Sequence, residues 1–276
     1  MKPPALGEAP ATSLTDTRIE LHWLSQVVGA AADAFLPRKP DDSQSNMVWN
    51  TELSVLMGRD LGKNTHLAVS ISDAQLLFVK DGKPGPSAAV RGKTIKELLT
   101  WATKAVSEAT GNQPRQPLAL RDYEMPKHPV SGGQPFAFEN QAALSELSKW
   151  FQAVTLWLGK AKDLDQSASD VRCWPHHFDI GGIFMLEPDK PFEEARQMGF
   201  GWSPGDSGYD QPYFYITPFP VPESLPDLKV GHWRREGFTG AILTGTDITA
   251  FDGSEEQNRN VELFLRSTIE ATLPLV

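Results

Sequence analysis

The chain has 276 residues, with 26 Lys+Arg against 35 Asp+Glu and a formal charge of −9. Its 40% hydrophobic and 22% charged residues suit a globular fold and exclude a disordered or fibrous one. The acidic balance argues against nucleic-acid and anionic-membrane partners, which require a basic footprint. The N-terminus has no apolar run of signal-peptide length, and no stretch approaches the roughly 20 apolar residues of a membrane span. The single cysteine, Cys173, has no partner for a disulfide or a Cys-based zinc site, and reads as a buried, inert thiol. A soluble, cytoplasmic protein is expected.

Residues 1–16 are rich in Pro, Ala and Thr and read as a flexible lead-in. From Asp16 onward, Ile19, Leu21, Leu24, Val27, Val28, Ala31 and Phe35 recur at helical steps. Asp16 or Thr17 is the expected N-cap, with Glu20 completing a capping box if it is Thr17; Pro37 and Pro40 end the helix. Strands are expected at 48–57, 66–71 and 75–79, the last two joined by a turn at Ser72-Asp73, with a loop from Gly82 to Pro86. Thr94 to Ala109 reads as an amphipathic helix closed by Gly111. Residues 112–138 are a Pro- and Gly-rich connection wrapping the surface, of the kind that carries functional contacts.

The second half repeats the order. A helix is expected from about Asn140 to Lys162, with Leu144, Leu147, Phe151, Val154 and Leu158 as its stripe. Strands follow at 171–186 (interrupted near Gly181-Gly182), 200–202, 213–218 and 239–244, and a helix from Glu255 to Thr272 closes the chain. The expected class is α+β: antiparallel sheets with packed helices in a pseudo-duplicated helix–strands–helix arrangement. The halves span 17–111 and 139–276, separate or joined in one compact domain.

Two apparent motifs fail on their chemistry. Arg91-Gly92-Lys93-Thr94 resembles the end of a phosphate-binding loop, but Ser87 stands where that loop needs its first glycine. Gly201-Trp202-Ser203-Pro204-Gly205 matches the pattern of a nucleophile elbow. Pro204, however, lacks the N–H that an oxyanion hole would take from that position. Ser203-Pro204-Gly205-Asp206 fits a type II turn instead.

The densest cluster runs from Trp174 to Pro220. If residues 176–180 form a strand, His177 and Asp179 share one face about 7 Å apart at Cα. They could then converge with Asp206, carried at the tip of its turn. Gly181-Gly182 suggests a bulge or a close approach to the backbone. Three uses compete for this cluster. One is a small-molecule pocket with His177, Asp179 and Asp206 as its polar groups. Trp174, Trp202, Ser203, Tyr213 and Tyr215 would line it. The second is a catalytic centre: a hydrolase with a His/Asp base, or one whose candidate cofactor is a divalent metal held by His177 and Asp179. A third ligand would come from Asp206, Asp210, His176 or His232. The third is structural, with these groups bonded locally in a fold-stabilising or interaction module. Non-enzymatic binding of a small molecule is the leading expectation.

His22, His66 and His128 read as packing or surface residues, and the Arg234-Arg235 pair as partners of surface carboxylates. The segments Trp174-Pro175-His176-His177-Phe178-Asp179, Ser203-Pro204-Gly205-Asp206 and Pro212-Tyr213-Phe214-Tyr215 resemble an uncharacterised bacterial family. Its pattern is W-P-x-H-F-D, S-P-G-D and P-Y-x-Y, and Gly237 to Ala241 also resembles a segment of it. The resemblance covers chiefly residues 171–272. That family often has an acidic residue at the position of His176. The resemblance implies a shared fold and a shared residue cluster, with no assigned activity.

Overall fold

Apolar positions in residues 48–89 build one antiparallel sheet, and those in residues 172–244 build another. The computed structural model describes residues 1–276. The chain divides into a first unit of residues 14–148 and 173–178, and a second of residues 1–13, 149–172 and 179–276. The class is α+β. These units depart from the expected halves, because residues 1–13 and 173–178 each join the unit more distant in sequence.

In the first unit, helix α1 (Thr15–Phe35) precedes strands β1 (Val48–Asn50), β2 (Val55–Asp60), β3 (Thr65–Ser70), β4 (Gln75–Lys80) and β5 (Lys83–Ala89). The strands pair in chain order as an antiparallel meander. Two expectations change here. The expected strand over 48–57 is a hairpin, because the Asn50 side chain accepts the N–H groups of Glu52 and Leu53 and turns the chain. The expected loop over 82–86 is part of β5. Asp81 and Gly82, with φ of 50° and 73°, form the two-residue turn between Lys80 and Lys83. Pro84 and Pro86 are tolerated because β5 is an edge strand.

Leu56, Val69 and Leu76 align across one face of this sheet, and Met57, Ala68 and Leu77 across the other. Helix α2 (Ile95–Thr110) starts at Thr94, whose hydroxyl accepts from Glu97 N while the Glu97 carboxylate accepts from Thr94 N. It ends at Gly111 in the left-handed region, as expected. Helices α1 and α2 pack on each other and on β3.

Helix α1 begins at Thr15, ahead of the expected cap, so the proposed Thr17–Glu20 capping box does not form. Glu20 serves the connection instead. Its carboxylate, 1% exposed, accepts from Ala137 N at 2.7 Å and Phe138 N at 2.8 Å. Trp23 Nε1 donates to Pro126 O, and Arg115 N donates to Ala34 O. A segment with almost no secondary structure of its own thus has its backbone satisfied from α1.

Helix α3 (Gln141–Lys162) begins in the first unit and ends in the second. The later elements are β6 (Arg172–Trp174), β7 (Asp179–Met185), β8 (Gln197–Ser203), β9 (Tyr213–Phe219), β10 (His232–Arg234), β11 (Gly240–Thr244), α4 (Gly245–Thr249) and α5 (Gly253–Thr272). The second sheet has the order β10-β11-β9-β8-β7-β6. The helix–strands–helix order therefore recurs, but the last two strands exchange places, and the halves are not copies.

One face of the second sheet is core. Phe184, Met198, Phe200, Trp202, Phe214 and Ile216 are all fully buried, and Trp202 packs between Trp150 and Phe151 of α3. The expected flexible lead-in is packed in this unit. Leu6, Ala9 and Ala11 are buried, and the Gln257 amide both donates to Leu6 O and accepts from Leu6 N. No helix is long and apolar enough to cross a membrane.

Removing the Glu20 acceptor leaves the buried Phe138 N–H and the more exposed Ala137 N–H without their partner. Glu20→Ala is expected to lower the unfolding free energy by about 2–4 kcal/mol, and Glu20→Gln by less, by chemical denaturation. A second expectation concerns acid. Burial pushes the His22 imidazole down to about 4, and burial followed by the neighbouring His177 pushes His176 down to about 4. The unfolded chain then takes these protons first as the pH falls. Stability is full above about pH 6.5 and is lost towards pH 4. His22→Gln should flatten the dependence of unfolding free energy on pH in that window by up to about 1.4 kcal/mol per pH unit.

Candidate functional site

The segment expected to run as a strand through residues 176–180 is a turn. Pro175 to Phe178 reverse the chain, closed by Phe178 N donating to Trp174 O at 2.7 Å, and Phe178 takes φ 58°. Alternation therefore does not apply, and the expected shared face of His177 and Asp179 is overturned. What fixes the turn lies beneath it in the first unit. His22 Nε2 and Gln26 Nε2 reach Pro175 O at 2.8 and 2.6 Å, and Phe178 stacks on the His22 ring at 5.4 Å. His177 is exposed, with its ring 4.2 Å from that of His176, and His176 lies near Tyr123 and the half-buried Trp174. His177 and Trp174 belong to the first unit, and Asp179, Trp202, Ser203, Asp206, Tyr213 and Tyr215 to the second.

In the second unit the turn releases the chain into β7, and Asp179 is its first residue. Gly181 and Gly182 continue the ladder opposite Gly201 and Phe200 with no bulge. The other expectation, a close approach to their backbone, is met. Gly181, Gly201 and Tyr215 align across the face opposite the core. A Cβ at Gly201 would lie 2.4 Å from Tyr215 Oη, and one at Gly181 would lie 2.7 Å from it. The phenol crosses both glycines and donates to Asp179 Oδ2 at 2.5 Å.

A second phenol behaves alike. Tyr213, opposite Ser203, donates to Asp206 Oδ2. Asp206 Oδ1 accepts from Gly208 N at 2.7 Å and Tyr209 N at 2.9 Å, so this carboxylate also caps its own loop. Gly205 takes a positive φ of 119°, as expected of a glycine there, while Ser203 Oγ accepts from Gly205 N and the closed loop runs from Asp206 N to Tyr209 O. Burial, then the Asp206 carboxylate, raises the Tyr213 pKa far above that of a free phenol, so the group stays protonated. The Tyr213 and Tyr215 rings are 6.3 Å apart, and Tyr209 makes a tilted ring contact with Tyr213 at 4.7 Å. Of the expected ligand-facing residues, Trp202 is on the opposite, core face and is completely buried, because strand alternation separates it from Gly201 and Ser203.

No group of three or more His, Cys, Asp or Glu side chains is arranged to hold a metal ion, so the expected ligand set around His177 and Asp179 is not assembled. Cys173 is buried and exchanges two backbone hydrogen bonds with Met47.

Sequence reasoning did not foresee a charged cluster in the first unit. Arg121, in the long connection, grips Asp33 through Nε and Nη2 at 2.5 and 2.6 Å, pairs with Asp42 at 2.8 Å and donates to Tyr123 Oη. Beside it, Gln26, Ser45 and Pro175 help to line a cavity of about 10 Å³, room for about one water. The only signal in the sequence was the length of the Pro-rich connection.

The glycine–tyrosine fit is testable through coupling. Gly201→Ala should cost more than about 2 kcal/mol by overpacking, and Tyr215→Ala in the same chain should recover part of that loss in a double-mutant cycle. Comparisons with protein-family models, with curated proteins and with solved structures returned no match.

Proposed function

We propose that the protein binds a small, donor-rich molecule on the tyrosine-bearing face of its second sheet, at the exposed Asp206 and the half-buried Asp179 and Tyr215, with the buried Ser203 and Tyr213 beside them. The observation that carries this reading is the pairing of each phenol with a carboxylate, Tyr215 with Asp179 and Tyr213 with Asp206. Each tyrosine spends its only O–H on a carboxylate. Neither phenol then has a hydrogen to donate to a ligand. Such a face favours a partner that supplies N–H or O–H groups: an amine, or a polyhydroxylated molecule. The net charge of −9 favours the amine further.

Orientation supports the same reading. Tyr215 is held by the glycines beneath it, and the Asp206 carboxylate by two backbone N–H groups, so little ordering is left for the ligand to impose. The resemblance of residues 171–272 to the uncharacterised family forms part of the proposal, because Asp179, Asp206, Tyr213 and Tyr215 all fall on its pattern. An acidic chain with one buried thiol fits a cytoplasmic protein that does not act on nucleic acid.

The test is a thermal-shift panel of primary amines, polyols and monosaccharides, with hits followed by calorimetry. Tyr215→Phe, which keeps the ring over the glycines, and Asp179→Asn should each weaken binding at least tenfold with little change in melting temperature. A panel without a hit, or hits bound equally by both variants, would overturn the reading.

A further inference from the structure

We propose that Arg234 is an oxyanion-binding residue, poised to take a phosphate or carboxylate group of a ligand at the end of β10. This assignment does not depend on the tyrosine-face reading. The sequence led to the expectation that Arg234 and Arg235 would pair with surface carboxylates. Arg234 pairs with none. Its Nε donates to Glu236 O at 2.7 Å, and Nη1 and Nη2 have no hydrogen-bond or ion-pair partner in the protein.

The guanidinium is nevertheless held in place. Its central carbon lies 5.1 Å from the Tyr209 ring centroid and 4.9 Å from that of Phe238, so two aromatic faces contact one cation. Tyr209 is fixed in turn by a tilted ring contact with Tyr213 and by sharing a hydrogen bond with His232 Nε2 at 3.3 Å. The backbone makes room for the fork. A Cβ at Gly208 would lie 2.8 Å from Nη1 and 3.2 Å from Nη2, and one at Gly237 would lie 3.7 Å from Nη2.

The nearby carboxylate, Asp206, has Oδ1 engaged by the N–H groups of Gly208 and Tyr209 and Oδ2 by the Tyr213 hydroxyl. A planar fork anchored through Nε and against two aromatic rings, with its two terminal amino groups unspent, matches the two-point geometry by which arginine takes an oxyanion. Exposed Arg235 follows it in the chain and carries a second positive charge.

The test is a titration followed by the backbone amide signals of Gly208 and Gly237, using inorganic phosphate and, separately, acetate at constant ionic strength held with chloride. The expected result is a saturable shift at millimolar anion, stronger for phosphate. Preferential saturation by acetate would assign the site to a carboxylate and support it equally. Arg234→Lys, which keeps the charge but loses the fork, should weaken binding at least tenfold. Gly208→Ala, which sets a methyl group against Nη1 and is read through Gly237, should do the same, and Arg235→Lys should change affinity less than twofold. A linear, unsaturable response, or affinity unchanged in both Arg234→Lys and Gly208→Ala, would overturn the proposal.

Discussion

Tyr215 can reach Asp179 only because two residues beneath it have no side chain. The ring lies across Gly201 and Gly181, in space that any β-carbon would occupy, and this fixes which face of the second sheet is polar. Once Tyr215 is on that face, alternation sends Phe214 and Ile216 to the other, against Trp157 and the hydrophobic core. The same alternation puts Ser203 and Tyr213 beside Tyr215 and removes Trp202 from any surface role. One steric allowance thus sorts an aromatic-rich stretch of sequence into a packed side and a hydrogen-bonding side.

The first unit solves a different problem. Residues 112–138 form a long path with little regular structure, and such a path has backbone groups that no ladder satisfies. Helix α1 supplies the missing partners. Glu20 meets two N–H groups, Trp23 donates to Pro126, and Asp33 holds Arg121 by two nitrogens. These polar residues sit among the apolar residues of α1, which is why its buried set includes Glu20, His22 and Gln26. Their burial is acceptable because each is bonded.

Much of the architecture was legible because it rests on local chemistry. The Thr94, Glu97 and Gly111 signals bound α2 as read, the apolar stripe of α3 is buried throughout, and the turn at residues 203–206 has its positive φ at Gly205. Where the reading failed, a tertiary contact, a left-handed residue or a proline masked the local pattern. The strand expected through His177 fails because Pro175 O is held by His22 and Gln26, more than 140 residues earlier, and because Phe178 takes a left-handed conformation that alternation cannot foresee. The edge strand β5 was hidden by its prolines, although Asp81-Gly82 carried the hairpin signal. Arg121 gave no local sign, because its partners are set by the fold alone.

The clasp of Gln257 on Leu6 joins residues 251 positions apart. On a ribosome, Leu6 must wait for a residue 251 positions later before its backbone finds that amide. Residues 173–178 impose a similar delay on the first unit, whose remaining residues are complete at Ser148. Neither unit can finish from one contiguous stretch of chain: the first waits for residues 173–178, and the second for Gln257 to meet Leu6.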